Sequence, residues 1–286
     1  MPLIHSYNYG CGGLGDFLRS LFAYYVYCHI NNIPFFLYIK GHPFESCFKM
    51  NEIPEEYLTN LKHFEDIGSS SDKTTEEILR TIKETNCSLI SNKFDFVSFK
   101  DLQKYRNNFL EFLQLTELVN TRILFLRNSY NLNKYNSIHI RLGDRLMEHV
   151  NISCDIRVKD NKSFNSDLVT SLKFLKNKNI PIVIFTDNNT IKDQFKGNKT
   201  INLDPHTVID VTVLNTRIHH TALESVDISN TVDAIAEFFI MGQSDSIVTM
   251  SSSGFSFWSA FLFNRDLYHV MDNTIRPFKE TDLKYK

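Results

Sequence analysis

The chain has 286 residues, enough for one large domain or two smaller ones with a substantial core. Hydrophobic residues at 42%, charged residues at 22% and a net charge of −2 describe an ordinary globular protein, with no electrostatic footprint for nucleic acid or a membrane surface. The five cysteines are odd in number and form no C-x-x-C pair, which argues against a zinc knuckle or disulfide framework and points to a reducing compartment.

The opening "MPLIHSYNYG" has no basic segment followed by an apolar run, so it does not read as a signal peptide. No apolar stretch reaches the roughly 18 residues of a membrane span, and the expectation is a cytoplasmic protein without a transmembrane segment. "LIHSYNY" (3–9) reads as a strand running into a glycine-rich loop. Leu18, Leu21, Phe22, Tyr25 and Val26 then recur at helical spacing and predict a helix over 17–30. "PFFLYIK" (34–40) is a second strand. Residues 50–128 are polar and mostly helical in pattern, with one short strand at "CSLI" (87–90). "NSIHIRLGD" (136–144) is a buried strand entering a loop, and the charged stretch 145–163 has little periodicity and reads as mobile. Then come a helix over 165–178, a strand "IPIVIFTD" (180–187) and a short helix over 189–196. Val232, Ile235, Ala236, Phe239 and Ile240 share one face of a helix over 229–243. "SIVTM" (246–250) is a strand, "SSSG" a turn, "FSFWSAFLF" (255–263) a helix and "LYHVM" (267–271) a last strand.

Strands alternating with helices predict an α/β fold with parallel sheets whose loops gather at the carboxyl ends. The strand rhythm restarts near residue 130, as two Rossmann-like domains facing a cleft would require, one over 1–130 and one over 131–286. Twenty-four Phe and 12 Tyr suit thick cores and a platform for a sugar or base.

Four loops carry chemistry. The first, "GCGGLGD", satisfies Gly10-x-Gly12-x-x-Gly15. An NAD site would place an acid at the end of the second strand, but Lys40, Gly41 and His42 stand there, leaving only NADP open. Tyr130 and Lys134 have the spacing of a reductase pair, yet they lie in "NSYNLNKYN", which reads as a loop. No Gly-Lys-Ser/Thr follows, so the loop is not a P-loop. The glycines serve either close approach of a ligand or a tight strand-to-helix turn capped by Asp16.

The second loop ends "IHIRLGD". His139 and Arg141 share one side of the strand by its two-residue period, and Arg141 and Asp144 fall at the strand end. The planar, permanently charged guanidinium suits a diphosphate, and the alternative is an Arg141–Asp144 ion pair tying down the loop. The third loop carries Asp187, as a ligand-binding acid or a helix cap. In the fourth, Ser251, Ser252 and Ser253 end a strand and Gly254 opens a helix, which makes either an anion site or a simple cap.

In order and rough spacing these loops resemble those of the GDP-fucose-dependent fucosyltransferases, the superfamily of α1,2-, α1,6- and protein O-fucosyltransferases. Gly12-Gly13-Leu14-Gly15-Asp16 is similar to that superfamily's Gly-Gly-Leu-Gly-Asn loop, and His139-Ile140-Arg141-Leu142-Gly143-Asp144 to its His-x-Arg-Arg-x-Asp motif. Thr186-Asp187-Asn188 matches its Thr/Ser-Asp-Asp/Asn motif, and Ser253-Gly254-Phe255-Ser256-Phe257-Trp258 its Ser-x-Phe-Ser-x-Trp segment. The resemblance implies a GT-B architecture binding a nucleotide-sugar donor and a glycan or glycoconjugate acceptor. It implies that Arg141 holds the β-phosphate and that His139, Asp187 and Asp245 lie near the nucleoside. It further implies that Ser252, Ser253 and Gly254, with Phe255 following, lie near the phosphates, and that the glycine loop faces the sugar. Leu142 replaces a second arginine and Asp16 an asparagine, which leaves the donor sugar open.

The residues themselves agree with metal-free transfer. No Asp-x-Asp occurs, and adjacent His219 and His220 cannot both face one metal from a strand. The leaving diphosphate then relies on Arg141 and loop N–H groups, and an inverting enzyme also needs a base, for which Asp16 is the candidate. No cofactor beyond the sugar nucleotide is called for. The competing readings are an NADP-dependent reductase and a catalytically inactive nucleotide-sugar-binding protein.

Overall fold

The computed structural model describes residues 2–7, 13–59, 62–63, 87–89, 102–141, 161–188, 192–193, 197–204, 207–216 and 227–282. They form two compact units, Met1–Thr116 with Thr221–Val226, and Glu117–His220 with Asp227–Lys286. The division falls one helix earlier than residue 130, because the helix over Glu117–Ser129 packs within the second unit.

In the first unit, strands β1 (Leu3–Ser6), β2 (Phe35–Tyr38), β3 (Lys62–His63) and β4 (Cys87–Leu89) form a parallel sheet in the order β2-β1-β4-β3. Helix α1 (Leu14–Ile30) buries Leu18, Leu21, Phe22 and Val26 of the face its spacing foretells, and Phe17 with them, while Tyr25 is only half-buried. It starts three residues before the predicted Phe17, with Gly13 as an extended N-cap that supplies no side-chain bond. It stops at Asn31, after which Asn32 takes a left-handed φ of 54°. Phe17 packs on Phe44 and Phe48 with ring centroids 4.9 and 5.6 Å apart, so the phenylalanine excess fills this core. The short α2 (Glu55–Thr59) follows, and α3 (Arg106–Phe112) sets Phe109 edge-on to Phe22 at 5.0 Å.

The second unit is built on α4 (Glu117–Ser129), β5 (Asn136–Ile140), α5 (Asn161–Lys176), β6 (Ile182–Thr186), β7 (Gly197–Asp204), β8 (Thr207–Val213), α6 (Ile228–Gly242), β9 (Ser246–Thr249), α7 (Gly254–Phe263), β10 (Asp266–Met271) and β11 (Thr274–Pro277). The sheet order is β11-β10-β9-β5-β6-β8-β7. The five inner strands are parallel and the edges β7 and β11 antiparallel, the two departures from an all-parallel expectation. The short helix predicted over 189–196 falls largely outside the described residues, as does the stretch 145–160; α5 begins at Asn161.

From β5 the chain winds outward through β6 to β8, then returns to β9 on the other side of β5. That reversal makes the gap between the carboxyl ends of β5 and β9 the topological switch point, where open α/β sheets take their ligands. Ile138 and Ile140 face Leu172 and Leu175 of α5 in one core layer. Successive side chains of a strand alternate faces, so His139 turns to the opposite layer, against Phe255 of α7. In that layer Ser259 donates to the Phe238 carbonyl at 3.0 Å, locking α7 to α6 over the fully buried Trp258.

Candidate functional site

Parallel pairing sets the site. Ile140 of β5 lies opposite Thr186 of β6, so the next residues out, Arg141 and Asp187, leave adjacent strand ends together. Arg141 Nη1 donates to Asp187 Oδ2 at 2.5 Å, with the side chains 21% and 10% exposed. Asp187 stands 46 residues along the chain from Arg141; Asp144, the partner the sequence offered, lies outside the described residues. An arginine at the mouth of an apolar strand requires such a partner, since an unpaired buried charge is costly. The Asp187 carboxylate orients the guanidinium.

His139 sits one turn of the pleat below Arg141, buried, its ring stacked on Phe255 at 5.3 Å and 22°. Burial holds its pKa down to about 4; the Asp187 carboxylate opposes that shift and the Arg141 cation adds to it. The imidazole is therefore neutral at pH 7. Its Nδ1 has no hydrogen-bond partner among the described residues.

On the other side of β5, the Met250 N–H donates to the His139 carbonyl at 3.0 Å, carrying β9 to the same edge. Thr249 Oγ1 donates to the Ser251 carbonyl at 2.8 Å and folds the chain back into α7. Ser251 is buried and its hydroxyl is likewise without a partner among the described residues. Ser253 caps α7, its Oγ accepting from the Phe255 N–H at 3.3 Å, and Gly254 opens the helix. The first turn of a helix leaves N–H groups without internal acceptors and carries a partial positive charge. The switch point therefore gathers a guanidinium, a helix N-terminus and hydroxyls at Ser251, Ser252 and Ser253, a set suited to a diphosphate.

The structure brings His139, Arg141, Asp187, Ser252, Ser253, Gly254 and Phe255 to this edge, and it does not bring Asp245. That residue precedes β9 and so lies at the amino end of the strand, with the four residues of β9 (Ser246–Thr249) between it and the site. At about 3.3 Å each they span ~13 Å. There its N–H donates to the Tyr135 carbonyl at 2.8 Å and its carboxylate lies 3.6 Å from Lys134 Nζ.

In the first unit, Gly13, Leu14, Gly15 and Asp16 follow the carboxyl end of β1, while Gly10 and Gly12 lie outside the described residues. The Tyr7 hydroxyl donates to the Gly13 carbonyl at 3.4 Å, and the same carbonyl accepts from the N–H groups of Asp16 and Phe17. Leu14 is buried and anchors the start of α1. Asp16 is inside the first turn and not at the cap, because α1 begins earlier than its hydrophobic spacing foretells. Its carboxylate, 41% exposed, pairs instead with Arg19 at 3.5 Å.

The reductase residues have other partners. The Tyr130 hydroxyl accepts from the Asn215 N–H at 2.9 Å, and Lys134 pairs with Asp245. After β2, Gly41 takes a φ of 81° and His42 Nδ1 accepts from the Phe44 N–H at 3.1 Å, capping a 3-10 helix. Sequence reasoning missed the buried pair of Lys192 and Glu237, 2.6 Å apart beside Thr216. No motif announces it, because its members are 45 residues apart. Among the described residues no group of three His, Cys, Asp or Glu side chains is placed to hold a metal ion, and no helix is long and apolar enough to cross a membrane.

A guanidinium, a helix N-terminus and hydroxyls thus stand at the carboxyl edge of a doubly wound sheet in one unit, and the other parallel-sheet unit carries the end of the glycine loop. No protein-family model matches the chain, and no curated protein matches it in sequence. Solved structures do. The chain is similar to NodZ α-1,6-fucosyltransferase from Bradyrhizobium co-crystallised with GDP, at 13% identity and a TM-score of 0.58, covering 97% of this chain and 98% of that one. It is similar to a mutant of Arabidopsis thaliana FUT1 in complex with GDP, at 11% identity and a TM-score of 0.60, covering 94% and 70%. It is also similar to POFUT1 in complex with GDP, at 11% identity and a TM-score of 0.55, covering 94% and 98%. At these identities the likeness is one of fold: the chain has the GT-B-like α/β fold of the GDP-fucose-dependent fucosyltransferases. The resemblance carried by the four loops holds at that level along almost the whole chain.

Proposed function

We propose that this protein is a metal-independent, inverting glycosyltransferase that transfers fucose from GDP-fucose to a glycan acceptor. The observation that carries the reading is Arg141 at the switch point, held by Asp187 beside the N-terminus of α7, in a fold shared with structures solved with GDP. In this reading the acceptor hydroxyl oxygen attacks the anomeric carbon from the face opposite the diphosphate. The bond from that carbon to the β-phosphate oxygen breaks, and its electron pair leaves on GDP. Arg141 and the α7 N–H groups stabilise the charge that grows there, the largest electrostatic demand of the reaction. The acceptor's proton goes to a carboxylate, for which Asp16 is proposed.

Metal independence is supported by the donor set. A fixed guanidinium supplies positive charge where a metal would otherwise bridge the diphosphate, and the sequence has no Asp-x-Asp. The test is thermal unfolding with GDP or NADPH in the presence of EDTA, followed by an assay for donor consumption. A rise in midpoint with GDP alone, and fucose released or transferred without metal, supports the proposal. Stabilisation by NADPH and not GDP overturns it, as does transfer that EDTA abolishes and Mn²⁺ or Mg²⁺ restores. GDP binding with no turnover on any acceptor or water marks an inactive binding protein.

A further inference from the structure

Beneath the candidate site lies a cluster that no motif foretells. Lys192 and Glu237 are almost fully buried, with side chains 4% and 2% exposed and Nζ and Oε1 2.6 Å apart. Thr216 Oγ1 accepts from Lys192 Nζ at 2.6 Å and donates to Glu237 Oε1. Each group stands on a different element: Lys192 on the chain leaving β6, Thr216 just past β8, and Glu237 in the middle of α6. Burial pushes the Glu237 carboxyl up, and the Lys192 ammonium with both hydrogen bonds works against that push.

The cluster continues outward. The neighbour of Thr216, Asn215, donates its N–H to the Tyr130 hydroxyl at 2.9 Å, and Arg122 of α4 donates to Asp233 of α6 at 2.6 Å. It also continues inward to the site. The Lys192 N–H donates to the Asn188 carbonyl at 3.1 Å, and the Asn188 N–H donates to Thr186 Oγ1 at 3.1 Å. Between those two anchors stands Asp187, whose carboxylate holds Arg141. A buried ion pair contributes little net stability over apolar residues of similar size, but it fixes geometry, because either charge alone is penalised in any other arrangement.

We propose that Lys192 is a positioning residue: pinned by Glu237 and Thr216, it sets the segment after β6 so that Asp187 presents Arg141 to the diphosphate. This rests on the donor-site reading above, and it adds a residue that touches neither donor nor acceptor.

The test compares Lys192→Met with the double variant Lys192→Met/Glu237→Leu, measuring the urea midpoint and the GDP affinity of the folded protein by calorimetry. The single variant leaves a buried carboxylate unpaired and loses both stability and affinity. The double variant removes both charges and recovers the midpoint, while GDP binding stays about fivefold or more below wild type and the KM for the donor rises more than kcat falls. If the double variant recovers affinity together with the midpoint, the pair is only structural and the proposal is overturned. Should either variant fail to fold, Thr216→Val keeps the volume and removes the hydrogen bonds to both Lys192 and Glu237. Its expected effect is a lowered midpoint with a two- to threefold weaker GDP affinity in the protein that remains folded, and unchanged affinity overturns the proposal. Wild-type protein that binds no GDP overturns the donor-site reading itself, an outcome separate from any difference between variants.

Discussion

Arg141→Ala separates what the guanidinium does for the fold from what it does for a ligand. Its partner Asp187 is 10% exposed and its own side chain 21% exposed, 2.5 Å apart. Removing one member of a fully buried pair costs about 3–5 kcal/mol, and an exposed pair is worth about 0–1. This half-buried pair falls between, and the expected loss of stability is about 1–3 kcal/mol. For the ligand, a hydrogen bond to a charged group contributes about 1.5–3 kcal/mol, so a fork of two to the diphosphate is worth ~3–6. Loosening the Asp187 contact on binding takes back part of that. A net ~3 kcal/mol is about a hundredfold in GDP affinity, at 1.4 kcal/mol per tenfold. Turnover suffers more, because charge grows on the leaving diphosphate, and kcat/KM is expected to fall ~1,000-fold. Arg141→Lys recovers stability better than turnover, since a point charge pairs with Asp187 but cannot make the fork. Urea denaturation, calorimetric titration with GDP and initial rates of donor consumption read the three quantities. A folded Arg141→Ala protein that binds GDP within twofold of wild type would refute the phosphate assignment.

Asp16→Asn removes a partly exposed pair with Arg19 and should cost less than about 1 kcal/mol. If Asp16 is the base, transfer falls about a hundredfold or more with GDP affinity unchanged; a retained rate places the base elsewhere. His139 has a folded pKa of about 4, below the ordinary ~6.5, so the folded state resists its protonation. Its contribution to stability is complete above pH ~6.5 and is lost as pH falls from there through about 4, so His139→Gln should flatten the urea midpoint over that window. Gly242→Ala places a Cβ 2.2 Å from the Phe263 ring, and the displacement should lower stability by about 1–3 kcal/mol, read as a drop in the thermal midpoint.

Much of the architecture was legible along the chain. The runs at 136–140, 182–186 and 246–249 are apolar enough to read as buried parallel strands, and α6 shows its apolar face at helical spacing. The hairpin of β7 and β8 was not read, although Val208, Ile209, Val211, Thr212 and Val213 form a β-branched run after an Asp204-Pro205 break. The last strand, β11, was missed because it is only four residues long and ends in Pro277, although Thr274 and Ile275 favour strands. It exists through pairing with β10 across a turn in which Asp272 and Asn273 take left-handed φ values of 51° and 63°. Asp245, which the family resemblance sets near the nucleoside, directly precedes a parallel strand and so lies at its amino end.

What the sequence by itself determined are the properties that repeat over a few residues: the strand and helix periods, the glycine and serine turns, and the four loops at strand ends. The tertiary structure decided the partners. Arg141 pairs with Asp187, 46 residues along the chain, because the β5–β6 register sets those two strand ends side by side. Lys192, Thr216 and Glu237 meet only because β6 neighbours β8 and α6 packs over both loops, contacts closed across 24 and 45 residues of chain. Asp16 lost its capping role to Gly13 once Leu14 was buried and Tyr7 held the Gly13 carbonyl. Local patterns follow from backbone geometry and burial, which the chain carries everywhere. Which charge faces which depends on sheet order and register, and those are fixed only when the whole core packs.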